Sequence, residues 1–275
     1  MNSSRNRTVV AVAGLDPTGG AGLVRDVLTG AALGVHVLAV GTAWTVQSDV
    51  QTDDSRVAHV EPRDPDALCR ALADALRQTC AERGAGAGTG PSVKVGMVPN
   101  AAVADAILKA LDGVGFAGPV VVDPVLFTSR GGRLWQDNPR AMLPLLRRAT
   151  LVTPNGPEAR SLSGRPVATV ADALAAATDL RRQGVPAILV KGGHVNEGAV
   201  VVTDVLMGPE GVAVELSRPR MPGPSPRGTG CALSTAIAAE LAAGVSLRAA
   251  VEAATGWLWS RIAAAGVVHG QRHLP

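Results

Sequence analysis

Arg227-Gly-Thr-Gly-Cys231 sets two glycines ahead of an alanine-rich stretch that reads as a helix from about Thr229 to Ala243. Without side chains at Gly228 and Gly230, consecutive backbone N–H groups can point outward from the helix start. Donors are unpaired there and the macrodipole is positive. Such a loop suits an anion, and a phosphoryl group in transfer is an obvious one. The same field is expected to lower the pKa of Cys231 and set its sulfur beside the reacting oxygen. The plain alternative is a glycine-rich turn followed by a buried cysteine.

Other polar groups fall at the ends of strand-like runs. Asn155 and Glu158 are three apart after a run at Thr150, and a helix opening there puts both on the strand-end side. That spacing also suits a helix cap with a first-turn Glu. Asp123 ends another run just before Pro124. Lys191 is one of only three lysines, and two glycines follow it, so its ammonium can reach an anionic ligand or snorkel to water. Gln47 offers a donor and an acceptor side by side, suited to a ligand's polar edge, or is a polar loop residue. Met97 reads as a flexible apolar wall or as core.

The elements that must position these groups alternate. Thr8 to Gly14, Val35 to Thr42, Val93 to Met97, Pro119 to Asp123, Thr150 to Thr153 and Ala187 to Lys191 are short β-branched or apolar runs. Helical patterns lie between them, ending at about Ala32 and running over Pro65 to Cys80, Ala101 to Leu111 and Ala171 to Gln183. Val200 to Leu206 and Val212 to Leu216 read as a hairpin turning at Gly208 to Gly211, and a last helix spans about Leu247 to Ala265. This is the pattern of an α/β protein with a mainly parallel sheet covered on both faces. Function is then expected at the carboxyl ends of the strands. No linker divides the chain, so one domain over 1–275 is expected, with residues 1–7 disordered and 83–92 a flexible loop.

Composition narrows the classes. Of the 275 residues, 47% are hydrophobic, enough for a large core, and 18% are charged. The net charge of +3 comes from scattered arginines, and aromatic residues are 2% with no Tyr, which argues against nucleic-acid binding. Cys69, Cys80 and Cys231 form no CxxC, and the first two read as reduced, partly buried thiols. There is no signal-peptide core and no apolar stretch of the ~18 residues a membrane span needs. A cytoplasmic protein without membrane contact is expected. GxxxxGK[ST], GxSxG and HExxH are absent, and the alternating glycines of 84–90 do not fit GxGxxG.

Four segments in order resemble the hydroxymethylpyrimidine/phosphomethylpyrimidine kinases, within the ribokinase-like kinases. They are Ala13-Gly-Leu-Asp-Pro-Thr-Gly-Gly-Ala-Gly22, Val121-Val-Asp-Pro-Val125, Thr153-Pro-Asn-Gly-Pro-Glu158, and Lys191-Gly-Gly-His194 with Gly228-Thr-Gly-Cys231. Lys94-Val-Gly-Met97 is a weaker fifth.

The resemblance implies a three-layer α/β/α ribokinase-like fold, ATP as donor, magnesium, and phosphorylation of a hydroxymethylpyrimidine and its monophosphate for thiamin synthesis. By position, Gly14, Ala21, Asp26, Gln47, Met97 and Val125 line the pyrimidine pocket, although Asp26 also reads as a solvated helix residue. Asn155, Lys191, Gly228 and Gly230 hold the nucleotide, and Asp123 and Glu158 face the metal. Gly228, Thr229, Gly230 and Cys231 carry the transfer, with Cys231 where sugar kinases of the wider fold carry an Asp base. Arg227 replaces the family's usual His, and Arg130 departs from a Lys-Ser-Gly pattern. A homodimer is the family's habit. A pyridoxal kinase and a non-catalytic pyrimidine sensor are the rival readings.

Overall fold

The computed structural model describes residues 7–46, 59–81, 90–128, 131–195, 198–268 and 271–275. Gln47 and Arg130 lie outside them, as do residues 1–6 and 83–89 of the two expected flexible segments.

The first half of the chain runs β1 (Thr8–Leu15), α1 (Gly22–Ala32), β2 (His36–Val46), β3 (His59–Pro62), α2 (Pro65–Ala81), β4 (Ser92–Val95), α3 (Ala101–Gly113) and β5 (Val120–Val122). The second half follows with α4 (Leu143–Arg148), β6 (Leu151–Val152), α5 (Gly156–Ser163), α6 (Val170–Arg182), β7 (Ile188–Val190), β8 (Val201–Met207) and β9 (Ala213–Pro219). It closes with α7 (Thr229–Ala242), α8 (Leu247–Ala263) and the hairpin β10 (Gly266–Val268) and β11 (Gln271–His273).

Among the described residues one sheet takes the order β3-β2-β1-β4-β5-β6-β7-β8-β9. The neighbours from β2 to β7 pair in parallel, and β3, β8 and β9 are antiparallel additions at the two edges. Successive strand residues point to opposite faces, and the burial follows that rule. Val10, Val12, Val93, Val95, Val120, Val122, Val152 and Ile188 pack with α2, α3, α5 and α6. Val9, Val121, Leu151 and Leu189 pack with α7 and α8, while Ala11 and Ala13 meet Leu23 of α1. The result is the expected three-layer α/β/α sandwich.

Alanine lets α7 lie close to the sheet. Ala232, Ala236, Ala238 and Ala239 are almost without exposed surface, which anchors the helix whose first turn is the glycine loop. The chain leaves β1 for β2 on one side and returns to β4 on the other, so the strand order reverses at β1 and β4. A crevice forms at such a reversal.

The structure corrects two boundaries. Ser92 is not loop but the first residue of β4, paired with Val9, and its hydroxyl donates to the Ala238 carbonyl at 2.7 Å. Arg7 is ordered against β2, its carbonyl accepting from the His36 N–H at 3.0 Å. Cys69 is a half-buried free thiol, and the side chain of Cys80 lies outside the described residues.

Candidate active site

Two glycine loops meet above the carboxyl end of β1. The first turns because Asp16 accepts from the backbone N–H of Thr18 at 3.0 Å and from its hydroxyl at 2.8 Å. At its end a Cβ on Gly22 would stand 2.2 Å from the Gly14 carbonyl oxygen. The second loop enters α7 through Gly228, whose φ of 76° belongs to the left-handed region open to glycine. A Cβ there would stand 2.2 Å from the Gly20 carbonyl oxygen. The two loops are therefore in backbone contact, and glycine is obligatory where they touch. Arg227 adds a charged tie, its Nη2 lying 3.2 Å from Asp16 Oδ2.

No side chain caps α7. Its first-turn N–H groups have no acceptor within the helix, and Thr229 and Gly230 line a cavity of about 290 Å³ together with Asn155, Lys191 and Thr255. The expected helix start is thus uncapped and opens on a cavity.

Cys231 is different from its sequence reading. Burial pushes its thiol up to about 11, even though Lys94 and a Gly22 N–H pull the other way, and Asp26 and Asp123 add to the rise. A helix start favours a thiolate only where solvent or cations balance the desolvation. Cys231 is only half-buried by surface, yet the dense protein around its sulfur desolvates a thiolate more than the nearby cation and N–H stabilise it. The thiol form is therefore favoured at neutral pH.

Carboxylates and a lysine gather at the ends of β5, β6 and β7. Lys191 Nζ donates to Asp123 Oδ1 at 2.6 Å and lies 3.9 Å from Glu158 Oε2. Thr153 donates its hydroxyl to the same Asp123 oxygen at 3.1 Å. A Cβ on Gly230 would come 3.2 Å from Lys191 Nζ and 3.3 Å from Asp123 Oδ2, so this cluster sits directly against the anion loop. Asn155 and Glu158 form a capping box on α5: the Asn155 N–H donates to Glu158 Oε2 at 2.8 Å, and Asn155 Oδ1 accepts from the Glu158 N–H at 2.9 Å. The helix-cap reading of this pair is the one the structure shows directly.

Burial raises the Glu158 carboxyl to about 7, with Lys191 and the N–H groups of Asn155 and Leu126 opposing and Asp123 adding to the rise. One ammonium between two buried carboxylates leaves negative charge unbalanced. Hard oxygen donors with surplus charge fit a magnesium ion that keeps several waters.

On the acceptor side, Gly14 and Met97 touch, since a Cβ on Gly14 would stand 3.0 Å from Met97 Sδ. Met97 packs with Ala43 and Leu134, and Val125 lies against that group. Ala21 precedes α1 as its N-cap residue and is half-buried.

Asp26 is not at the cleft surface. It is fully buried, accepts from Lys94 Nζ at 2.9 and 2.8 Å, and accepts from the Thr235 hydroxyl at 2.9 Å. Its carboxylate therefore ties α1 and α7 to β4 instead of reading a ligand. Lys94 opens the weaker Lys94-Val-Gly-Met97 segment, but that segment does not show its partner; the alternation that sends Val93 and Val95 to one face sends Lys94 to the other, onto Asp26. Arg25, buried next to Asp26, likewise has no local pattern that announces its burial.

A three-layer sandwich with an open helix start, a lysine–carboxylate cluster against it and a substrate-sized cavity defines a phosphotransferase of the ribokinase-like class. More narrowly, the chain belongs to the phosphomethylpyrimidine kinase family, whose sequence profile matches residues 16–275. It is 36% identical over 263 residues to the hydroxymethylpyrimidine/phosphomethylpyrimidine kinase of Rhizobium meliloti, covering 93% of this chain and 90% of that one. It is 31% identical over 260 residues to the thiamine biosynthesis multifunctional protein ThiED of Corynebacterium glutamicum; the match takes in 94% of this chain but only 32% of that longer protein. Among solved structures, the pyridoxal kinase of Staphylococcus aureus in complex with AMP-PCP superposes with a TM-score of 0.81 and 25% identity, over 98% of this chain and 92% of that one. The phosphomethylpyrimidine kinase of Clostridium difficile gives 0.69 and 26%, over 92% and 98%.

Proposed function

We propose that the chain moves the γ-phosphoryl group of ATP to the hydroxymethyl oxygen of 4-amino-5-hydroxymethyl-2-methylpyrimidine, and then phosphorylates the monophosphate, as a single-domain cytoplasmic enzyme of thiamin synthesis. The observation that carries this reading is the uncapped first turn of α7, held between the acceptor-side glycine loop and the Lys191–Asp123 pair. A phosphoryl group there has backbone donors beneath it, an ammonium on one side and the acceptor loop on the other. Phosphoryl transfer asks for alignment and charge neutralisation more than covalent chemistry, and these residues supply both.

In this reading the cavity beside Asn155, Lys191 and Trp259 takes the nucleotide, and Gly14, Ala21, Met97 and Val125 hold the pyrimidine ring, with Gln47 reading its edge. Lys191 neutralises donor phosphates. Asp123 and Glu158 are the residues that would hold magnesium, which supplies charge neutralisation on the phosphates when bound. Cys231, mostly a thiol at neutral pH, orients the acceptor hydroxyl; its minor thiolate fraction is the form that takes the hydroxyl proton, becoming a thiol as the oxygen bonds to phosphorus. For the monophosphate, whose acceptor oxygen is already ionised, no base is needed.

The alternative acceptor is pyridoxal, favoured by the superposition on the Staphylococcus aureus pyridoxal kinase over nearly the whole chain. Phosphorus NMR of the product from ATP and the pyrimidine alcohol tests the reading. A phosphomonoester signal followed by a diphosphate signal is expected, and ATP hydrolysis without either would refute it.

A further inference from the structure

Arg25 lies in α1, and only 4% of its surface is exposed. Its guanidinium makes one hydrogen bond, from Nη1 to the Leu274 carbonyl at 3.3 Å, while its Nε is buried with no partner. Among the described residues no carboxylate lies within ion-pairing distance of it. Asp26, the next residue, already has both oxygens on Lys94. Burial pulls the Arg25 pKa below its ordinary value, opposed by Cys231 and Asp26.

The location of this charge is specific. A Cβ on Gly228 would meet Arg25 Cγ at 3.0 Å, so the aliphatic stem of the side chain lies directly against the residue that opens the loop, with the guanidinium beyond it on the Leu274 carbonyl. The carbonyl that holds the guanidinium follows β11, and His273 of β11 pairs with Arg227. Arg25 is thus fixed between the C-terminal segment and the backbone of Arg227 and Gly228.

A buried charge without a counter-ion is expensive, and replacing buried charges by apolar groups of similar volume is often neutral or stabilising. An arginine kept for the fold alone would have a carboxylate or a full set of carbonyl partners. We propose that Arg25 is a positioning residue of the phosphoryl-transfer site, its unpaired charge strengthening the grip of the α7 first turn on the transferring group. This rests on the reading that the Gly228–Cys231 loop holds that group. The field acts through backbone donors, and it matters most while charge is spread over the transferring oxygens. Its effect therefore falls on turnover more than on binding.

The test compares wild-type protein with Arg25→Met and Arg25→Lys, measuring steady-state kinetics with ATP and the pyrimidine alcohol alongside thermal melts. For Arg25→Met, kcat should fall about tenfold or more. Both KM values should stay within about twofold, and Tm should hold or rise. Arg25→Lys, which keeps a charge, should recover most of kcat. Unchanged kcat in Arg25→Met would overturn the assignment. So would a drop in kcat accompanied by a fall in Tm that Arg25→Lys does not relieve, since that is the pattern of a structural residue. Wild-type protein that turns over no pyrimidine would instead overturn the kinase reading beneath it.

Discussion

Lys94 and Asp26 are joined by two hydrogen bonds of 2.9 and 2.8 Å, and neither side chain exposes any surface to solvent. Burial opposes the charge on Lys94, but Asp26, Cys231 and Asp123 together hold its proton more firmly than usual. Asp26 also accepts from Thr235, one helical turn beyond Cys231. The pair thus fastens the acceptor-side helix α1, the strand β4 and the anion-loop helix α7 to one another.

Breaking that pair on one side should be costly. Asp26→Asn or Lys94→Met leaves the partner buried and uncompensated, with an expected loss of about 3–5 kcal/mol. Urea unfolding reads this directly. A double replacement, Lys94→Met with Asp26→Leu, should recover much of the loss. If Asp26→Asn kept full stability and changed only KM for the pyrimidine, the residue would belong to the pocket after all.

Gly228 should tolerate no side chain. An alanine there must adopt φ near 76° and stands 2.2 Å from the Gly20 carbonyl. The strain alone is about 1–3 kcal/mol, and relieving it parts the two loops. Gly228→Ala should reduce kcat by roughly a hundredfold, in keeping with loss of an oxyanion-hole donor. Gly113→Ala, at the end of α3 with open space at its Cβ and no left-handed φ, is the control and should be close to wild type.

Cys231 governs the pH profile of the first step. With its thiol near 11, the fraction present as thiolate grows throughout the alkaline range. Turnover of the alcohol should climb steadily from pH 7 to pH 10, while turnover of the monophosphate stays nearly flat. Cys231→Ala should lower kcat for the alcohol and remove the climb. A plateau below pH 8 in the wild type would contradict the deprotonation.

Glu158 sets a stability slope of a definite sign. Its folded pKa of about 7 lies above the ordinary 4.5, so between those values the folded state binds the proton better than the unfolded chain. Stability therefore declines as pH rises through that window, and the decline is complete above about pH 7. Glu158→Gln should flatten this part of the Tm profile. Magnesium with ATP should flatten it too, by favouring the ionised carboxylate. A Tm that rose from pH 5 to pH 7 because of Glu158 would reverse the sign and refute the assignment.

What could be read from the chain alone follows from how local each signal is. The glycines at 19, 22 and 228 and the Asn155–Glu158 cap are set by a few neighbouring residues, so their types announce the geometry. The alternation of short apolar runs with helical periods was enough for the three layers. Lys94 and Asp26 are 68 residues apart, and nothing near either announces the other. Arg25, one place before Asp26, looks like a surface arginine until α1 is packed against the C-terminal segment. The short β3 and the β10–β11 hairpin are defined by their partners more than by their own composition. At Cys231 the favourable field of a helix start is visible in sequence, and the desolvation by residues distant in the chain is not.

The most direct measurement is ATP- and magnesium-dependent ADP release with the pyrimidine alcohol, its monophosphate and pyridoxal, assayed side by side on the wild-type protein. Turnover of both pyrimidines, with kcat/KM well above that for pyridoxal, is the predicted result. Preference for pyridoxal, or no ADP release with either pyrimidine, would contradict it.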